Sequence, residues 1–190
     1  MIQTPAKVQW TIEDLALFPE TEGIYYEIIQ GDLFITHPHH RQHQQISLKI
    51  AKYLDIWSES TGLGVTIVAP GVIFSDADNV YPDVVWISSE RLAQIEDESG
   101  HLLGAPELVI EVISAGKQNE ERDKKAKLKL YSSQGVQEYW IVDRFKQQLQ
   151  VYRRENGILV LTATLFNQDQ ITSPLLPNFS CLIQRFFVSL

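Results

Sequence analysis

Two segments constrain this chain more than any others: VYPDVVWIS at 80–88 and ELVIEVIS at 107–114. Side chains alternate across a strand, so consecutive apolar residues leave neither face for water. Strands of this kind lie inside sheets whose two sides are covered by helices. Each segment nevertheless carries an acid. Asp83 shares its face with Tyr81, Val85 and Ile87, and Glu111 shares its face with Val109 and Ile113. An ionised carboxylate withdrawn from water costs several kcal/mol unless a cation, a metal or hydrogen bonds compensate it.

Helical and strand patterns surround these two segments. In TIEDLALF (11–18), Thr11 and Asp14 are spaced as a helix start, which predicts a short helix ending near Pro19. YYEIIQGDLFITH (25–37) predicts a hairpin through a Gly-Asp turn, where the sheet begins. Ile46, Ile50, Tyr53, Leu54 and Trp57 recur at helical spacing, with Lys49, Lys52 and Asp55 opposite, so 43–58 reads as an amphipathic helix. GVTIVAPGVIFS (64–75) is a further strand, 88–104 a loop or short helix, and 118–133 a helix stopped at Gly135. EYWIVD, QQLQVYRREN and ILVLTATLF predict strands, ENG a turn, and SPLLPNFSCLIQRFFVSL a tail that packs through its aromatics. The 190 residues, 44% of them apolar, suit one domain over 1–190. The expected fold class is α/β: a central mixed sheet flanked by helices, with Asp83 and Glu111 on neighbouring strands.

Two carboxylates close together in a sheet repel each other unless a cation lies between them. A divalent ion resolves the conflict, and oxygen ligands suit magnesium, with manganese possible. The alternative for either acid alone is a strand-end carboxylate that reaches solvent or a helix N-terminus. Downstream, GKQNEERDKKAKLKLY (116–131) holds six basic residues against three acidic ones. On a helix Asp123, Lys127 and Tyr131 line one face, with the acid N-terminal to the lysine, the better order for an ion pair. The alternative there is a solvated charged helix. HPHHRQH (37–43) gathers His37, His39, His40 and His43, but the run crosses a strand end, a loop and a helix start. Zinc draws its ligands from converging elements, so these histidines are expected to flank a substrate groove and not to form a zinc site of their own.

YEIIQGDL, a histidine at the head of the next helix, YPDVVWIS, PELVIEVIS, the spaced Lys127 and Tyr131, and GVQEYWIVD stand in this order. Together they resemble the Uma family of restriction-endonuclease-like proteins, over roughly residues 10–185. The resemblance implies a restriction-endonuclease-like core of the nuclease superfamily whose signature is Pro-Asp, a gap, then Asp or Glu, any residue, and Lys. Pro82-Asp83 matches the first part and Glu111-Val112 the second, but Ile113 fills the lysine slot. The family pattern implies that the lysine has migrated to the following helix, at Lys127, with Lys124 as the substitute if the register differs. Glu27 matches a family acid, as a metal ligand or a partner of Lys127, with a strand-end salt bridge as the alternative, and His43 matches a family histidine, as a metal ligand, with a helix cap or a solvent-facing side chain as the alternative. The implied function is magnesium-dependent hydrolysis of a DNA phosphodiester: Asp83, Glu111 and the Val112 carbonyl hold the metal, Lys127 positions the water, and Glu27, His43 and Tyr131 assist. An ammonium beside the attacking water lowers its pKa and stabilises charge developing on the phosphate. On this reading Lys127→Met spares fold and metal binding and lowers only turnover.

Sixteen basic against twenty-four acidic side chains argue against a protein that coats nucleic acid, so any DNA contact is local. A homodimer is an open alternative, because cutting both strands benefits from two sites. Two other readings compete with an endonuclease: a catalytically inactive nucleic-acid- or protein-binding module of the same fold, and a hydrolase of small phosphoesters. One cysteine, no apolar signal core and no apolar run near the roughly 18 residues of a membrane span predict a cytoplasmic protein with no membrane partner.

Overall fold

The two acid-bearing segments lie side by side. In the computed structural model, which describes residues 8–19, 21–37, 39–116 and 120–187, they are antiparallel neighbours in a six-stranded sheet, with Val84 opposite Ile110 and Trp86 opposite Leu108. In chain order the strands are β1 (Tyr25–Ile29), β2 (Asp32–Thr36), β3 (Gly64–Val68), β4 (Val72–Ser75), β5 (Asp78–Val80), β6 (Val84–Ser88), β7 (Leu108–Val112), β8 (Glu138–Asp143), β9 (Gln148–Glu155), β10 (Ile158–Phe166), β11 (Gln170–Ser173) and β12 (Leu176–Leu182). The central sheet runs β10-β9-β8-β7-β6-β3, and it is mixed because β7 and β8 are parallel while its other neighbours are antiparallel.

Alternation along β6 and β7 divides the core. Val84, Trp86, Leu108, Ile110 and Val112 meet Ile46, Ile50, Leu54 and Trp57 of helix α1 (Arg41–Thr61), together with Phe179, Phe186 and Phe187 of the tail. The opposite face carries Val85, Ile87, Val109 and Ile113, packed on Leu130 and Tyr131 of the downstream helix. A second sheet, β2-β1-β5-β4, adds Ile29, Val72 and Val80 to that face. The cover expected to be wholly helical is therefore shared with strands.

Several expectations shift. The 25–37 hairpin belongs to the second sheet, and its turn is Gln30-Gly31, both at positive φ (52° and 76°), with Asp32 already in β2. Two positive φ values match the right-handed strand twist, which favours Gly at such a turn. The 64–75 run breaks in two, β3 in the central sheet and β4 in the second, because Pro70 cannot donate to a ladder and Ala69 has φ 49°. The tail forms the β11-β12 hairpin, and 88–104 includes a short helix α2 (Ser89–Ile95). The N-terminal helix is a 3-10 turn, Glu13–Leu17, with Asp14 Oδ2 accepting from the Thr11 amide and hydroxyl at 2.8 and 2.9 Å.

The helix after β7 is described from residue 120; its predicted first residues 118 and 119, Lys117 and tail residues 188–190 lie outside the described residues. Arg122–Lys127 is π-helical and continues as α3 (Leu128–Gln134), capped by Gly135 in the left-handed region. Among the described residues no helix is long and apolar enough to cross a membrane.

Candidate active site

The start of β6, the end of β7, β1, the head of α1 and the π-helical segment converge on a cavity of about 300 Å³. Glu27, His43, Asp83, Glu111, Arg122 and Lys127 line it. Pro82 lacks an amide hydrogen, so β6 begins after Asp83 and leaves that side chain at the strand's open end.

Lys127 is the hub. It is only 1% exposed, and its Nζ lies 2.8 Å from both Glu27 Oε1 and Glu111 Oε1. One helical turn on, the Tyr131 hydroxyl donates to the same Glu111 oxygen at 2.9 Å. Glu27 also accepts from the Tyr81 amide at 3.0 Å and the Thr36 hydroxyl at 3.2 Å, and Arg122 Nη1 stands 3.4 Å from its Oε2. The compensation that Glu111 requires thus comes first from a lysine and a tyrosine on the facing helix, and not from a metal alone. Asp123 departs from its expected pairing with Lys127. It accepts instead from Arg122 Nε at 3.0 Å. Lys124 turns away to Glu120 at 2.6 Å.

Asp83 is held differently. The Val112 amide donates to its Oδ2 at 2.7 Å, across the β6-β7 pair. His43 Nε2 lies 3.2 Å from Oδ2 and His39 Nε2 lies 3.9 Å from Oδ1. The two imidazoles stack with centroids 3.9 Å apart and planes 8° from parallel. Despite its proximity, His43 Nε2 is not aligned as a hydrogen bond, so it is a buried polar atom without a hydrogen-bond partner.

The charges do not balance. Three buried carboxyl groups (Glu27, Glu111 and Asp123) and the half-buried Asp83 face two cations, Arg122 and Lys127. Burial, opposed by Lys127 but reinforced by Asp83, Asp123 and Glu27, pushes Glu111 up to about 8. Burial also works against the charge on Glu27, but Lys127 and Arg122 outweigh it and hold that carboxyl below its usual range. At Asp83 burial is likewise overcome, chiefly by His43, then by His39 and the Val112 amide. The Lys127 ammonium keeps its proton because Glu111 and Glu27 outweigh its burial. The excess of carboxyl groups over cations, offset in part by the proton that Glu111 holds near neutral pH, and an unpartnered buried imidazole suit a divalent cation. The potential ligands that converge are His39, His43 and Asp83, all within 4.8 Å of one another.

The cavity therefore brings together the expected catalytic, assisting and metal-holding residues: Glu27, His43, Asp83, Glu111, Val112 and Lys127 line it, and Tyr131 backs Glu111, while the substitute lysine Lys124 and the histidines His37 and His40 are not part of its lining. His39, expected from the sequence only to flank a groove, lines the cavity and stands against Asp83, and Arg122 was missed as a site residue. The four-residue spacing of His39 and His43 was the available signal for the first; nothing local marks Arg122, whose partners Thr36 and Glu27 come from the hairpin. The basic surplus is also largely consumed. Arg122 and Lys127 are buried, and Lys124 and Lys125 pair with Glu120 and Glu121.

A mixed sheet with flanking helices and an acid-lysine cluster at the ends of two adjacent strands defines a restriction-endonuclease-like α/β protein. The model of the family described as "Uma2: Putative restriction endonuclease" matches residues 12–184, and the chain belongs to that family. Its fold is similar to a crystal structure described as "a putative nuclease belonging to DUF820" from Anabaena variabilis. The TM-score is 0.73 at 19% identity, covering 93% of this chain and 97% of the other. No curated protein matches the chain.

Proposed function

We propose that this protein is a divalent-metal-dependent deoxyribonuclease that hydrolyses phosphodiester bonds in DNA through Asp83, Glu111 and Lys127. The observation that carries the reading is the 2.8 Å contact of Lys127 Nζ with Glu111, made from a helix, while Ile113, directly after β7, is buried in the core. A lysine and two acids thus meet in one cavity although the strand itself offers no lysine.

Asp83 and Glu111, with the Val112 carbonyl, would hold magnesium or manganese. When bound, such an ion polarises the phosphate and lowers the pKa of a coordinated water. Lys127 supplies positive charge beside the carboxylates and stabilises charge growing on the phosphate oxygens. Glu27 fixes the lysine's position, Tyr131 fixes Glu111, and His43 borders Asp83. DNA contact is local, since most of the basic side chains nearby are already paired, and cleavage of both strands calls for two copies of the chain.

One observation favours the non-catalytic alternative: Glu111 Oε1 is already taken by both Lys127 and Tyr131. Nicking of supercoiled plasmid with Mg²⁺, with Mn²⁺ and with chelator tests the proposal. Metal-dependent nicking that Asp83→Asn abolishes supports it. No cleavage of single- or double-stranded DNA with either ion refutes it, and the binding-module reading then leads.

A further inference from the structure

We propose that His39, His43 and Asp83 together form a nitrogen-rich cation site that takes an imidazole-seeking divalent metal of the zinc, iron and nickel class in preference to magnesium. It rests on reading the cavity as a metal centre, but not on that centre cutting DNA.

The spacings fit a shared ion. Two atoms bound to one such metal at about 2.0–2.2 Å lie roughly 3 to 4.4 Å apart. The His43 Nε2 to Asp83 Oδ2 and His39 Nε2 to Asp83 Oδ1 separations are 3.2 and 3.9 Å. Neither contact is a good hydrogen bond: the first is misaligned and the second too long. A histidine placed only to donate to a carboxylate would point along the bond. Here two parallel imidazoles aim the same ring nitrogen at one carboxylate and leave one of those nitrogens, on a His43 only 2% exposed, with no hydrogen bond.

Outer contacts orient two of the three ligands. His39 Nδ1 lies 3.0 Å from Ser114 Oγ, just past the end of β7, which leaves Nε2 as the nitrogen facing Asp83. The Val112 amide fixes Asp83. Such supports set ring orientation and ligand basicity at metal sites. Three protein ligands leave open positions, as catalytic sites do. Magnesium binds oxygen and keeps its waters, whereas imidazole suits zinc, iron and nickel.

The test uses metal-free protein without DNA. Co²⁺ is titrated by visible absorption, Zn²⁺ and Mg²⁺ are added in competition, and the parent is compared with His39→Phe, which keeps a ring stacked on His43, and with Ser114→Ala. Expected are visible Co²⁺ bands, displacement by Zn²⁺, none by millimolar Mg²⁺, and a loss of Co²⁺ affinity of tenfold or more in His39→Phe. Ser114→Ala, which disturbs only the outer contact, weakens Co²⁺ about tenfold and keeps the test open if His39→Phe does not fold. Equal Co²⁺ affinity in parent and both variants, or displacement of Co²⁺ by equimolar Mg²⁺, overturns the inference. A protein that binds Co²⁺ through His39 yet cuts no DNA supports this site and sinks the nuclease reading. One that cuts with Mg²⁺ while His39→Phe loses no Co²⁺ affinity sinks this site alone.

Discussion

Lys127→Met weighs the buried charge network directly. The side chain is 1% exposed and its ammonium bridges Glu27 and Glu111 at 2.8 Å each. Removing one partner of a buried ion pair costs about 3–5 kcal/mol because the other charge is stranded. Two carboxylates are affected here, yet the cost does not double. Glu27 keeps Arg122 and the Tyr81 amide, while Glu111 keeps Tyr131 and can take up a proton. A loss of about 3–5 kcal/mol in a domain of this size lowers the melting temperature by about 6–20 °C. The deficit depends on pH. Without the lysine, Glu111 holds its proton in the folded state to a still higher pH than in the unfolded chain, so stability falls as pH rises between the two values. The cost is therefore smaller at pH 5 than at pH 8. Urea unfolding followed by circular dichroism at both pH values measures it. A deficit under about 1 kcal/mol at pH 8, well below the range for a broken buried pair, would refute the reasoning, as would equal deficits at the two pH values. The expectation that this substitution spares the fold is thus revised, because the lysine is part of the core as well as of the site.

Asp83→Asn should abolish calorimetric binding of Mg²⁺ or Mn²⁺, and unchanged binding would remove Asp83 from any metal centre. Glu111→Gln should flatten the stability profile: with Glu111 raised from 4.5 to about 8, the parent is stabilised below pH 4.5 and loses that contribution as pH climbs toward 8. Thermal melts of the metal-free proteins across that range check this, and parallel profiles would contradict it. DNA affinity should fall along a shallow salt slope, because few cations are left unpaired; a slope near −9, the mark of about ten neutralised phosphates, would count against a local contact.

The strands that carry Asp83 and Glu111 were legible because apolar alternation is a local signal. Lys127 and Tyr131 were legible as a pair for the same reason, four residues apart on one helix. What the sequence pattern hid is long-range. Glu27 lies 100 positions before Lys127, and only the packing of the second sheet against the π-helical segment makes them neighbours. For that reason the two strand acids looked uncompensated, and a metal looked necessary, when a lysine already served Glu111. Arg122 and Lys124 look alike in sequence. Burial separates them, placing the first on Thr36 and Glu27 and the second on Glu120.

The π-helical segment also sets a phase. An α-helix turns about 100° per residue, and a stretch bonded from i to i+5 takes up one residue more than its α-helical equivalent. Upstream of the slip, Arg122 reaches Thr36 at 2.8 Å; downstream, Lys127 and Tyr131 share Glu111. Winding the same residues as a uniform α-helix, without the slip, would swing Arg122 about 100° around the axis relative to Lys127 without changing a single site residue. Glu27 would then answer to the lysine alone. The winding of the helix at this point, as much as side-chain chemistry, governs how many cations the carboxylates share.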